Sequence, residues 1–125
     1  MAKLLDIQST DWDNEIVQED RPVMVEYWHE RCQSCKEMAP FIEKLPEILG
    51  DGVKLTRMNL LETKENRKFA IRGGIRSTPT FVVYCKGEAT GQIIGSMEEK
   101  DFIDQLKMLI ENADKCTPGT PIDEA

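Results

Sequence analysis

No stretch of this 125-residue chain approaches the roughly 20 apolar residues that a membrane-crossing helix needs. The opening Met1-Ala2-Lys3-Leu4-Leu5-Asp6 holds no apolar run long enough for a signal peptide, so a cytoplasmic protein with no membrane partner is expected. Cationic excess is missing as well. Sixteen Lys and Arg against 23 Asp and Glu leave a formal charge of −7, which works against non-specific nucleic-acid binding. Histidine occurs once, at His29, and no internal repeat is found. Four cysteines without a leader argue against a secreted disulfide framework, so a C-x-x-C pair reads as catalytic, redox-sensing or metal-binding. Zinc needs four ligands, and Cys85, Cys116 and His29 supply no second close pair. No metal or separate cofactor is expected, and a cluster shared between two chains is given little weight.

What is present suits one domain: 40% hydrophobic and 31% charged residues. We expect a domain over 1–113 and a loose, Pro-rich polar tail over 114–125. Thr10 with Asp13 is a capping-box pattern that predicts a short helix through about Val17. The apolar run Val23 to Trp28 predicts a central strand covered on both faces. Cys35, Met38, Ile42, Leu45 and Leu49 then recur at helical spacing, with Pro40 and Pro46 expected to kink or interrupt the helix. Val53 to Leu60 predicts a second strand and Glu62 to Ala70 a mostly polar surface helix. Thr80 to Cys85, the turn Lys86-Gly87-Glu88 and Gly91 to Gly95 predict an antiparallel hairpin. Ser96 with Glu99 forms a second capping box ahead of a final helix lined by Phe102, Leu106, Leu109 and Ala113. The expected order is helix, strand, helix, strand, helix, strand, strand, helix.

The chemistry concentrates at Cys32-Gln33-Ser34-Cys35, placed where the first strand gives way to a helix. Unpaired N–H groups and the positive end of the macrodipole at a helix start favour a thiolate, which is the nucleophilic form. A sulfur three residues on can close on the first without backbone movement. Glu26 stands out as a carboxylate inside an apolar strand. Burial there raises its pKa and suits it to proton transfer, although a lysine across the sheet could instead satisfy it.

Taken together, Glu26-Tyr27-Trp28, Cys32-x-x-Cys35-Lys36, Pro40, Thr78-Pro79-Thr80 and Gly95 resemble the thioredoxin family over roughly residues 5 to 112. The resemblance implies an α/β thioredoxin fold, a central mixed β-sheet flanked by helices on both faces, with Cys32 exposed and Cys35 shielded. It implies thiol–disulfide exchange in which Cys32 attacks a protein disulfide, Cys35 resolves the mixed disulfide and Glu26 takes the Cys35 proton. The redox group is then the Cys32–Cys35 disulfide itself, and the family usually carries Asp where Glu26 stands. Pro79 matches the family's cis-proline, Thr78 would pair with an extended substrate strand, and Trp28 and Gly95 would line the groove. Electrons would come from a thioredoxin-reductase-like or glutathione-type donor, in the service of cell redox homeostasis.

The departures concern the reaction's direction. Gln33-Ser34 replaces the family's usual Gly-Pro, and a Ser34 hydroxyl bonded to the Cys32 thiolate would make the couple less reducing than typical. His29 and Arg31 put cationic character near Cys32. Ile71 to Ser77 is longer than the family pattern and places Arg72 and Arg76 near the presumed groove, which suggests an acidic or otherwise non-standard partner. Plainer readings stand beside these: His29, Arg72 and Arg76 as solvated loop residues, Cys85 as a small hydrophobe at a strand end, and Cys116 as incidental. A redox-responsive module dedicated to one partner is the alternative function, and a non-catalytic adaptor the weakest.

Overall fold

Strand β2 (Val23–Trp28) organises the computed structural model, which describes residues 3–113. Its alternating side chains feed two different cores, as the period of two along a strand requires. Met24 packs with Phe81, Phe102 and Leu106 on one face, and Val23, Val25 and Tyr27 pack with Ile7, Ile16 and Tyr84 on the other. Both faces being covered explains why the run shows almost no polar residue.

Among the described residues five strands form a single mixed sheet in the order β1 (Leu4–Asp6), β3 (Lys54–Asn59), β2, β4 (Thr80–Cys85), β5 (Glu88–Ile94). β1 and β2 both run parallel to β3. β4 runs antiparallel to β2 and to β5. The α/β fold with a mixed sheet is therefore as expected, with one added strand. β1 was not anticipated because three residues are too few to show periodicity, and its pairing partner Leu55 lies some fifty residues away.

Helix α1 (Gln33–Ile42) contains Pro40, and α2 (Leu45–Leu49) restarts with Pro46 in its first turn, so the interruption expected at Pro46 is present. α3 (Lys64–Arg72) starts two residues later than expected because Thr63 caps it, its hydroxyl accepting from the Asn66 N–H at 2.9 Å. α4 (Glu99–Ala113) buries Phe102, Leu106 and Ala113. Its first hydrogen bond runs from Phe102 N–H to the Glu98 carbonyl, so Ser96 lies outside the helix start. The β4–β5 turn is two residues long, Lys86 and Gly87 both at positive φ, which suits the twist of a hairpin and lets β5 begin at Glu88 rather than Gly91.

The expected first helix is instead a 3-10 turn (Ser9–Asp11) followed by a π turn (Asp13–Val17). The cap shifts by two residues, with the Asp11 carboxylate accepting from Gln8 N–H at 2.8 Å. Buried Asn66 ties that segment to α3. Its side-chain N–H₂ donates to Gln8 Oε1 and the Asn59 carbonyl, and its Oδ1 accepts from Ser9 N–H at 2.8 Å. The helix expected on the surface is also anchored to the core, and Phe69 packs at a tilt against Trp12 with ring centroids 4.7 Å apart. Cys85 is buried at the end of β4 and is not a free thiol. The tail and Cys116 lie outside the described residues.

In the second core the Tyr27 and Tyr84 hydroxyls lie 2.6 Å apart. Burial, with the neighbouring tyrosine next in weight, pushes the Tyr27 phenol far up, so both stay neutral across the physiological range. Tyr27→Phe strands the Tyr84 hydroxyl and is expected to cost about 1–3 kcal/mol, whereas removing both hydroxyls should recover most of that loss. A urea double-mutant cycle measures it; losses that simply add would show that the pair is not coupled.

Candidate active site

β2 ends at Trp28, and the loop that follows carries the chain to the start of α1. Cys32 is the N-cap of α1, in extended conformation, with its Sγ accepting the Cys35 N–H at 3.1 Å. Cys32 and Cys35 form a disulfide with Cα atoms 5.2 Å apart. In this disulfide form the amide is the donor to Cys32 Sγ among the described residues; the Ser34 bond expected to the Cys32 thiolate belongs to the reduced form. Cys32 is more covered than expected, 7% exposed against 5% for Cys35. The bonded sulfur folds over the first turn of α1, where the amide holds it.

Glu26 shares a strand face with Met24, because their separation is two, and that face is the one α1 covers. It lines a cavity of about 170 Å³ together with Trp28, Cys35, Ala39 and Arg57. A water occupies roughly 30 Å³ in the liquid, so the space suffices for a bridging molecule between the carboxyl and Cys35. Glu26 is 4% exposed. Burial pushes its pKa up to about 7; Arg57 pulls it down, while Glu43 and Asp6 push it up.

Arg57 joins the candidate site without a local sequence signal that marks it on its own. Parallel pairing sets Asp6 opposite Arg57 and Arg57 opposite Glu26, a row across three strands on one face. Its guanidinium donates to Asp6 at 2.8 Å, approaches Glu43 at 3.5 Å, and lies 5.1 Å from the Trp28 ring centroid. No ion pair to Glu26 forms among the described residues, so the cross-sheet cation is an arginine that moderates Glu26 without neutralising it. The parity of Arg57 with Leu55 was the available signal, but the strand's neighbours had to be known to use it. The Trp28 indole N–H is buried and has no hydrogen-bond partner among the described residues, leaving the ring positioned by packing and by Arg57.

The other expected residues gather at the same end of the sheet. Tyr27 pairs with Thr80, so Trp28 and Pro79 leave that ladder side by side. The Thr78–Pro79 bond is cis. Gly95 has φ +86° and donates its N–H to the Pro79 carbonyl at 2.9 Å, tying the end of β5 to the proline turn. Thr80 Oγ1 donates to the Ser77 carbonyl at 2.8 Å and closes the turn from the other side. His29 stays in the loop, where its Nδ1 accepts from Arg31 N–H at 3.2 Å. No described group of three His, Cys, Asp or Glu side chains is arranged to hold a metal, and no described helix is long and apolar enough to cross a membrane.

A helix-capping dithiol that opens and closes at the end of a mixed sheet is the working group of thiol–disulfide oxidoreductases, and fold and site place this chain in that class. The family profile described as thioredoxin matches residues 3–108, and the chain belongs to the thioredoxin family. It is 34% identical over 104 residues to a thioredoxin of Rickettsia prowazekii (strain Madrid E), covering 83% of this chain and 96% of that protein. It is 29% identical over 108 residues to a thioredoxin of Haemophilus influenzae (strain ATCC 51907 / DSM 11121 / KW20 / Rd), covering 84% and 98% respectively. A chloroplastic M-type thioredoxin of Pisum sativum is 27% identical over 104 residues, 83% of this chain and 59% of that protein. The protein is accordingly a protein-disulfide oxidoreductase whose redox group is its own cysteine pair.

Proposed function

We propose that Cys32 is the attacking sulfur, Cys35 the resolving one and Glu26 the proton acceptor for Cys35, and that the protein reduces disulfides of other proteins. The Cys32 thiolate displaces one sulfur of the substrate disulfide, forming a mixed disulfide and releasing one substrate thiolate. Cys35, having passed its proton to Glu26, then displaces the second substrate sulfur. The Cys32–Cys35 disulfide results, and two electrons have moved to the substrate. The observation that carries this assignment is Glu26, buried with its pKa pushed up to about 7 in a cavity that Cys35 also lines, while Cys32 caps α1 by accepting the Cys35 N–H. Trp28, Thr78, Pro79 and Gly95 form the groove for an extended substrate segment, with the Thr78 backbone as its pairing edge.

Electrons return through a thioredoxin-reductase-like or glutathione-type donor, in the cytoplasm, as part of redox homeostasis. Equilibration against glutathione buffers, with alkylated thiols read by mass spectrometry, tests the direction. Because Gln33-Ser34 relaxes the helix start, the potential should lie above the thioredoxin value of about −270 mV and at or below the glutaredoxin range of about −230 to −200 mV. A value above about −180 mV would make the protein an oxidant or isomerase and overturn the reductase reading.

A further inference from the structure

Charge is distributed unevenly over this acidic chain. Residues 64–79 carry Lys64, Arg67, Lys68, Arg72 and Arg76 against the single carboxylate of Glu65, in a protein of net charge −7. All five cations are exposed, and none forms an ion pair among the described residues. The segment comprises α3 and the connection to β4, and it runs into the cis Thr78–Pro79 bond beside Trp28. Arg72 closes α3, and Arg76 stands three residues before Pro79. Arg31, also exposed, directly precedes Cys32, and the adjacent Glu30 accepts a hydrogen bond from Asn59 Nδ2 at 3.0 Å. Apolar side chains accompany the cations: Ile71 is 63% exposed and Ile94, next to Gly95, is 58% exposed.

Resting on the oxidoreductase reading above, we propose that this basic flank selects protein disulfides whose reacting cysteine lies in an acidic polypeptide segment. Arg72 and Arg76 set the charge preference, and Ile71 and Ile94 seat apolar residues of the same segment. Exposed arginines around a reactive centre raise the local concentration of anionic partners and steer their approach, an effect that salt weakens. Two exposed isoleucines, Ile71 next to Arg72 and Ile94 next to Gly95, favour a polypeptide over a small anionic disulfide, which has nothing to place on them.

The test uses the reduced full-length protein and three disulfide-bonded peptides, identical except for aspartates, serines or lysines flanking the cysteine, with glutathione disulfide as a fourth substrate. The ratio of second-order rate constants is read, since any change in the Cys32 thiolate acts on every substrate alike. At low ionic strength the acidic peptide should react ~10-fold or more faster than the basic one, and the gap should shrink in 0.5 M salt. Arg72→Gln with Arg76→Gln should bring the ratio towards one, and Arg76→Glu should invert it. Equal rates on all three peptides would overturn the proposal while leaving the oxidoreductase reading intact. Failure to reduce any of the four would overturn that reading and this proposal with it. Glutathione disulfide matching the acidic peptide would show selection by charge alone and overturn the polypeptide assignment.

Discussion

Cys32→Ser is expected to reduce the rate of insulin disulfide reduction with dithiothreitol by at least ~10³-fold, to the uncatalysed background, because a serine hydroxyl is not appreciably ionised and cannot enter disulfide exchange. The position is set up for a sulfur anion: the N-cap of a ten-residue helix, with the Cys35 amide pointing at it from 3.1 Å. Cys35→Ser has a different outcome. Attack by Cys32 remains possible, but the mixed disulfide has no internal thiol to resolve it, so a covalent adduct accumulates. Its mass equals the protein plus one substrate chain under non-reducing conditions and collapses on reduction. The converse pattern, adduct with Cys32→Ser and none with Cys35→Ser, would exchange the two roles. Full activity in Cys32→Ser would remove the site altogether.

Glu26→Gln is expected to change the pH dependence of stability as well as the second chemical step. Glu26 ionises near its ordinary value of 4.5 in the unfolded chain but at about 7 in the folded protein, chiefly because it is buried. A folded-state pKa above the unfolded one means that the neutral carboxyl is accommodated and the charged one is not. The contribution is therefore fully present below about pH 4.5 and is lost as the pH rises through about 7. Two to three pH units correspond to roughly 3 kcal/mol. Glutamine carries no such titration, so its advantage over glutamate should be near zero at pH 4, grow between pH 5 and 7 and level off above. Urea melts at pH 4, 6 and 8 measure this, and a glutamine variant less stable than the parent at pH 8 would contradict a burial-dominated shift. The same substitution removes the proton acceptor proposed for Cys35, so the mixed disulfide should persist longer in a quenched-flow experiment. Arg57→Met, by withdrawing the cation that pulls the Glu26 pKa down, should move the midpoint of the stability change to higher pH.

The reactive pair and its immediate setting were legible because they are local. A strand-length apolar run, two cysteines at a helix start and proline after a polar turn all act within a few residues of one another. The hairpin was legible for the same reason, although its turn proved tighter than expected because Lys86 joins Gly87 at positive φ. Three features were not. β1 is three residues long and exists only because β3 offers it an edge. The cap of the first turn moved from Thr10 to Gln8 and Asp11, and the same segment is tied down by Asn66, nearly sixty residues on. Arg57 became part of the site only once two parallel pairings aligned it with Asp6 and Glu26.

The amino-acid sequence by itself determined where the redox-active dithiol lies, at a helix start, and which carboxylate is proposed to serve it, the one placed in an apolar strand, both consequences of short-range order. The tertiary structure alone decided how that carboxylate behaves. Its surroundings are a cavity shared with Cys35, an arginine one strand away and two further carboxylates drawn from β1 and the end of α1. Burial and charge proximity depend on strand order and register, which are set by contacts between residues far apart in the chain. A local pattern cannot encode them.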